Sequence, residues 1–283
     1  MLHAARQAMA HLIDLNHLGH DRVIGAYEVD GLIVDPGPSS CLETLLAGLK
    51  GEPRGLLLTH IHLDHAGASG SLVRRFPGLH VYVHEVGAPH LVDPAKLLES
   101  AGRLYGDDMD RLWGEVLPVP AENVVALRGG EDLEGFRVTY TPGHASHHVT
   151  YLHGGTGDAY VGDVAGVRIP PREFTVAPTP PPDIDVPAWE RSLDAVTQLR
   201  PRRLCLTHFG RTGAVARQLA LVRERLRANA DRARPRDRER FLAQVDAEID
   251  AGVDAELAVR LRQAAPPEQM WLGLERYWRK RGH

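Results

Sequence analysis

The chain has 283 residues, 43% hydrophobic and 25% charged, which excludes a disordered or fibrous protein and fits one large domain or one domain with an appendage. A net charge of −4 excludes the global basic field of a nucleic-acid binder, and no apolar run approaches the ~20 residues that span a bilayer. Two cysteines, Cys41 and Cys205, are too few for a disulfide framework. The opening MLHAARQAMAHLIDL lacks a signal peptide's basic start and long apolar stretch, so a cytoplasmic location is expected.

Arg22–Val29 and Leu32–Val34 read as strands split by the turn pair Asp30-Gly31. Asp35-Pro36-Gly37-Pro38 stops the sheet, and Ser39 or Ser40 can cap a helix carrying Leu42, Leu45, Leu46 and Leu49 on one face. Gly55–Thr59 is a short apolar run ending in Thr, the pattern of a buried strand. Leu79–Val83, Val124–Leu127, Phe136–Tyr140, Val149–Leu152, Ala159–Val161 and Leu204–Leu206 are further strands, and Pro94–Leu104, Asp107–Trp113 and Pro187–Leu199 read as helices. The Pro-rich, aperiodic stretch Ile169–Pro187 is a long loop, and such loops usually cover functional sites.

Beyond His208 the pattern turns to amphipathic helices, at Thr212–Asn229, Asp237–Ala251, Ala255–Gln263 and Glu268–Lys280. A boundary near Gly210 therefore separates a catalytic unit, 1–210, from a basic helical extension, 211–283. The extension has net charge +5 and the rest −9, hidden within the overall −4. A basic appendage of this kind faces an anionic substrate, a partner or the acidic unit, or is simply a solvated face.

Sixteen histidines against 5 Phe and 4 Met invite a search for metal ligands. His3, His11, His17, His20, His80, His90, His153 and His283 are scattered and read as surface or helix-end residues. The concentrated signal is His60-Ile61-His62-Leu63-Asp64-His65, directly after the strand that ends at Thr59. Three imidazoles and a carboxylate within six residues exceed what one tetrahedral zinc takes from one segment, so two adjacent metals are the natural reading. Three more polar residues stand at strand ends: His144 after Thr141-Pro142-Gly143, Asp163 after Val161-Gly162, and His208 after Leu206-Thr207. His84 also ends a strand, but no motif attaches it to a metal, and it reads as a core or capping residue. Cys41 and Cys205 read as inert core residues.

This pattern resembles the metallo-β-lactamase-fold superfamily, most closely its glyoxalase-II-like and lactonase-like hydrolase branch, over about residues 12–210. The resemblance implies a mixed α/β, four-layer αββα sandwich with metals at one edge, followed here by the helical extension. It implies that His60, His62 and His144 hold one metal ion, that Asp64, His65 and His208 hold the second, and that Asp163 bridges them. Asp35 and His148 match positions that orient ligands from behind. The implied activity is hydrolysis of a small ester, lactone or thioester by a metal-bridging hydroxide, with Asp64 as the catalytic carboxylate that ligates, orients and shuttles a proton. Two divalent ions are expected, zinc by default, with iron, manganese, cobalt and nickel also suited to imidazole and carboxylate.

The expected partner is a small-molecule substrate. Segment 164–207 leaves no room for the insertion of the superfamily's nucleases, which weighs against nucleic acid, and the intact His62 differs from the Glu of flavin-linked di-iron members. The lysine and tyrosine features by which glyoxalase II binds glutathione have no match, and segment 164–207 lacks the tyrosine of acyl-homoserine lactonases. Arg168, Arg172 and Trp189 are expected to border the cavity and touch substrate. Two other readings stand beside hydrolysis: a mononuclear iron oxidoreductase resembling persulfide dioxygenases, and a non-catalytic, metal-stabilised scaffold binding a partner through its C-terminal helices. The oligomeric state is open, a homodimer included.

Overall fold

Short apolar strands that pair in parallel need helical crossovers, and the alternating pattern supplies them. The computed structural model describes residues 10–282; His3, His283 and most of the opening segment lie outside the described residues. The first sheet takes its strands in chain order: β1 (His11–Asp14), β2 (Gly25–Val29), β3 (Leu32–Val34), β4 (Gly55–Leu57), β5 (His80–His84) and β6 (Val124–Leu127). From β3 to β6 all neighbours are parallel. The crossovers are α1 (Leu42–Gly48), then α2 (Leu63–Ala66) with α3 (Ser69–Arg75), then α4 (Ala88–Val92), α5 (Ala95–Tyr105) and α6 (Met109–Trp113). The second sheet contains β7 (Asp132–Leu133), β8 (Phe136–Tyr140), β9 (Val149–His153), β10 (Asp158–Tyr160), β11 (Arg203–Leu206) and β12 (Gly210–Thr212), in the order β12-β11-β10-β9-β8-β7. Helix α7 (Val186–Gln198), capped by the Asp185 side chain, makes the one parallel crossover of this sheet, between β10 and β11.

The layers follow from which residues are buried against which. Tyr27, Leu32, Phe136, Tyr151 and Tyr160 fill the space between the two sheets. Leu45 and Leu72 cover the other face of the first sheet over Leu56 and Val81. Trp189 and Leu193 cover the second sheet over Leu204 and Leu206. The result is the αββα sandwich expected from the sequence.

The C-terminal helices are α8 (Val215–Ala233), α9 (Arg238–Gly252), α10 (Ala255–Ala264) and α11 (Pro267–Lys280). They do not have a core of their own among the described residues. Leu226, Phe241, Leu261 and Leu274 join the same buried cluster as Leu204, Leu206 and Trp189, and burying each such side chain contributes roughly 1.5–3 kcal/mol. Gly210 opens strand β12, which pairs with β11 through Leu206 and Gly210. The arginines of this segment are largely neutralised. Arg223 meets Asp194 at 2.6 Å, Arg281 meets Asp185 at 3.7 Å, and Arg260 and Arg227 pair with Asp21 and Glu190. Others pair within the segment, as Arg262 does with Asp246 and Asp250. Of the possibilities for the positive charge, the one the contacts support is the acidic remainder of the chain.

Several expectations shift. Strands β1 and β12 and helices α2 to α4 are too short for a periodic signal to mark them. His17 and His153 are not surface residues. His17 is buried with Nε2 at 2.9 Å from the Leu112 carbonyl, and His153 is buried with Nε2 at 3.0 Å from Asp30. His84 does cap a turn, accepting from Val86 N–H at 3.3 Å while stacking on Tyr140. Both cysteines are buried, and burial pushes the Cys205 thiol up to about 12. No described helix is long and apolar enough to cross a membrane.

Candidate metal centre

Strand direction gathers the polar residues at one edge. Parallel strands β3 and β4 end at Val34 and Leu57, just before Asp35 and the His60–His65 segment. In the other sheet β8 and β10 both run antiparallel to β9, and β10 is parallel to β11. The carboxyl ends of β8, β10 and β11 therefore share an edge, and His144, Asp163 and His208 follow them. Hydrogen bonds tie the two sheets together just behind this edge. Gly25 N–H donates to Thr207 at 2.9 Å, Val149 N–H to Thr59 at 2.8 Å, and the Tyr27 and Tyr151 hydroxyls to Leu206 and Leu58. Gly143, at φ 132°, makes the turn that aims His144; a Cβ there would lie 2.3 Å from the Trp189 backbone.

The sequence-predicted ligands all meet. Nδ1 of His62 lies 3.0 Å from Nε2 of both His60 and His144. On the other side, Nε2 of His208 is 3.4 Å from Asp64, and Nε2 of His65 is 3.8 Å from the same carboxylate. Asp163 touches both groups, with Oδ2 at 3.3 Å from His144 and Oδ1 at 3.2 Å from His65 and 3.6 Å from His208. The ligand atoms of His60, His62 and His144, of His60, His65 and Asp163, and of Asp64, His65 and His208 each lie within 4.8 Å of one another.

The hydrogen bonds behind the rings fix which nitrogen is bare. A carbonyl or carboxylate only accepts, so a ring nitrogen facing one must carry the proton. His144 Nδ1–H donates to the Pro178 carbonyl at 3.0 Å, His208 Nδ1–H to Val23 at 2.6 Å, and His65 Nδ1–H to Asp35 at 2.8 Å. The Thr59 hydroxyl donates to Asp35 at 2.7 Å, leaving its oxygen to accept from His60 Nδ1–H at 3.1 Å. In their neutral form these four rings turn the bare Nε2 to one space, and His62 presents Nδ1. Asp35 also accepts from the Thr59 N–H at 2.8 Å and the Thr207 hydroxyl at 3.0 Å, joining both sheets behind the ligands.

Burial holds His60 and His144 below their usual pKa, and pushes His62 down to about 4 with help from neighbouring His144. These rings stay neutral, as ligands must. At His65 burial opposes charge, but Asp163, Asp64 and Asp35 outweigh it and raise the pKa, so this half of the site favours a cation. Buried polar atoms without partners cost about 1–3 kcal/mol each. Among the described residues, Nε2 of His65, Oδ1 of Asp163 and Nε2 of His208 make no well-formed hydrogen bond and meet only one another and Asp64 at 3.2–3.8 Å, all converging on one space. A donor set of imidazole nitrogens and carboxylate oxygens left bare in this way fits divalent metal ions.

His148 is in none of the ligand groups. Its ring stacks on His60 at 5.0 Å and its Nδ1 meets the Thr141 hydroxyl at 2.9 Å, so it backs the site. The sequence reading missed His147, which is buried, accepts from the Ile61 N–H at 3.4 Å and steadies the ligand loop.

A cavity of about 90 Å³ opens on His62, Asp64 and Asp163. Its walls come from α5, from Pro178–Pro182 and from the junction of α10 and α11. The Pro-rich loop is thus a cover, as expected. Arg168, Arg172 and Trp189 do not line it. Trp189 is fully buried, with its N–H donating to Val164 at 2.8 Å and its ring edge-on to His144 at 5.3 Å. Arg168 serves through its backbone, donating to the His208 carbonyl at 2.6 Å, and Arg172 is exposed outside the cavity. The loop offers prolines to the site and leaves its arginines outside. Tyr105 and Gln269 of the wall carry no motif that sequence reading detects.

Residues 26–208 match the model of the metallo-beta-lactamase superfamily. The chain is 32% identical over 163 residues to the metallo-beta-lactamase fold-containing protein ST1585 of Sulfurisphaera tokodaii, a match covering 55% of this chain and 60% of that protein. It is 35% identical over 122 residues to a hydroxyacylglutathione hydrolase of Xylella fastidiosa, covering 43% and 36%. The matches thus span less than two thirds of these relatives. The crystal structure of ST1585 superposes with a TM-score of 0.64 at 26% identity, covering 78% of this chain and 85% of that one. The di-iron-bound form of TTHA1623 gives 0.53 at 29% identity, covering 70% and 91%. TTHA1429 from Thermus thermophilus shares the fold over 97% of this chain and 93% of its own, with a TM-score of 0.63 at 23% identity.

Proposed function

This chain belongs to the metallo-β-lactamase superfamily, and on that premise we propose that it is a dinuclear metallohydrolase of a small ester, lactone or thioester. The observation that carries the reading is the pair of ligand groups sharing Asp163, with their ring nitrogens bare toward one space. His60, His62 and His144 would hold one ion, Asp64, His65 and His208 the other, and Asp163 both. Bound there, two divalent ions supply Lewis acidity that polarises a carbonyl and makes water nucleophilic at neutral pH.

The chain's own residues do the rest. Asp35 and the Pro178 and Val23 carbonyls lock the rings, so the site is preorganised. Of the two ligand carboxylates on the cavity, Asp64 is the more exposed, 22% against 6% for Asp163. Burial pushes its pKa up, but His65 and the bond to His208 overcome this and keep it ionised. Held ionised, it accepts the hydrogen bond of a hydroxyl and so orients it toward the substrate. A cavity well under the ~300 Å³ of drug-sized pockets suits a small substrate.

Zinc is the default, and the di-iron form of TTHA1623 supports iron as the second choice. In a panel of esters, lactones, thioesters and phosphodiesters, the metal-loaded protein should turn over at least one of the first three classes. His60→Ala, with folding checked by circular dichroism, should lower that rate by at least about 100-fold. Unchanged turnover in this variant would refute the reading.

A further inference from the structure

Resting on the hydrolase reading, we propose that the cavity wall built by α5 and the α10–α11 junction selects an uncharged substrate with a short apolar group, and that Tyr105 and Gln269 position it in place of a charged anchor. Among the described residues, the charged ones lining the cavity are Asp64 and Asp163, and none is Lys or Arg. The arginines nearest in sequence to the wall are committed elsewhere. Arg262 is held by Asp246 and Asp250, Arg260 by Asp21, and Arg103 by Glu99. With Asp64 and Asp163 committed to the metal site, the distal end of an anionic carrier would lie against apolar side chains such as Leu97, Leu104 and Met270, with no lining Lys or Arg among the described residues to replace its hydration.

The polar exception is a pair. The Tyr105 hydroxyl donates to Gln269 Oε1 at 3.3 Å, which leaves the Gln269 amide N–H groups for a ligand oxygen. Burial, and after it the Asp64 carboxylate, raise the Tyr105 pKa, so the phenol remains a neutral donor. The wall is also rigid. Tyr105 packs edge-on against Trp113 at 5.0 Å, Trp113 stacks on His17 at 5.6 Å, and Gln263 of α10 donates to the His17 carbonyl at 3.0 Å. Helix α11 presses so closely on the Pro-rich loop that a Cβ at Gly273 would lie 2.0 Å from the Thr179 carbonyl. Two sides of the cavity are thereby pinned to each other, and a site of fixed shape that offers the Gln269 amide, oriented by Tyr105, as its neutral donor discriminates by charge and length.

The test compares size-matched thioesters that differ in one charge, S-butanoyl-3-mercaptopropanamide and S-butanoyl-3-mercaptopropanoate. With the metal-loaded full chain, kcat/KM should favour the amide by about tenfold or more. By calorimetry, the uncleavable thioether 3-(butylthio)propanamide should bind the metal-loaded chain more tightly than 3-(butylthio)propanoate. Gln269→Lys should shift both preferences toward the anion. Equal or reversed preference with turnover intact overturns this proposal and leaves the hydrolase reading standing. Absence of turnover of every substrate by metal-loaded protein defeats the hydrolase reading, and the calorimetric preference then judges the cavity by itself.

Discussion

The metal-ligand edge and the cavity wall meet at Asp64, yet they are built in opposite ways. At the edge, the functional side chains follow strand ends, and His60, His65, His144 and His208 are oriented from behind by a backbone carbonyl, by a threonine hydroxyl or by Asp35. At the wall, side chains from α5, the Pro-rich loop and the α10–α11 junction meet across long stretches of sequence and are held by packing. Damage at the edge should abolish chemistry for every substrate, while changes at the wall should alter which substrate is chosen. The two regions also depend on the same core, because α10 and α11, which supply part of the wall, bury their apolar faces with the second sheet.

The largest expected effect probes that shared core. Leu274 is fully buried in the cluster that includes Leu204 and Leu206. Leu274→Ala should cost about 2–5 kcal/mol of unfolding free energy, in a single transition that carries the sandwich with it. A separate low-temperature transition with an unaffected main one would instead show that residues 211–283 are an independent unit.

A smaller effect is expected behind the ligands. Asp35 accepts four hydrogen bonds, from His65, the Thr59 backbone and hydroxyl, and Thr207. Asp35→Asn should lower metal affinity or kcat by about 10–100-fold on all substrates alike, read by metal titration and by kcat and KM. A change confined to the ratio between substrates would erase the distinction between edge and wall.

The same contrast explains what sequence can foresee. The ligands are legible because His60, His62, Asp64 and His65 crowd one segment, and because His144, Asp163 and His208 each follow a recognisable strand. Asp35 is legible for the same reason, at the end of β3. The αββα layering is equally visible in the alternation of apolar strands and amphipathic helices. Trp189 is misplaced by sequence because an aromatic residue in the segment bordering the site reads as a wall residue, whereas it is fully buried and meets His144 edge-on. Tyr105 and Gln269 lie 164 positions apart and meet through the tertiary fold, which no local pattern encodes. The charge of the basic C-terminal helices leaves several roles open in the sequence, and the contacts select one of them, pairing with acidic neighbours such as Asp194 and Asp185.

The central claim, a two-metal site bridged by Asp163, is tested most directly by elemental analysis of the native protein beside Asp163→Ala. The account predicts two divalent ions per chain in the native protein, with the variant losing at least one and its turnover together. One iron per chain with oxygen consumption on a persulfide, or two ions retained after Asp163→Ala with undiminished turnover, would contradict it.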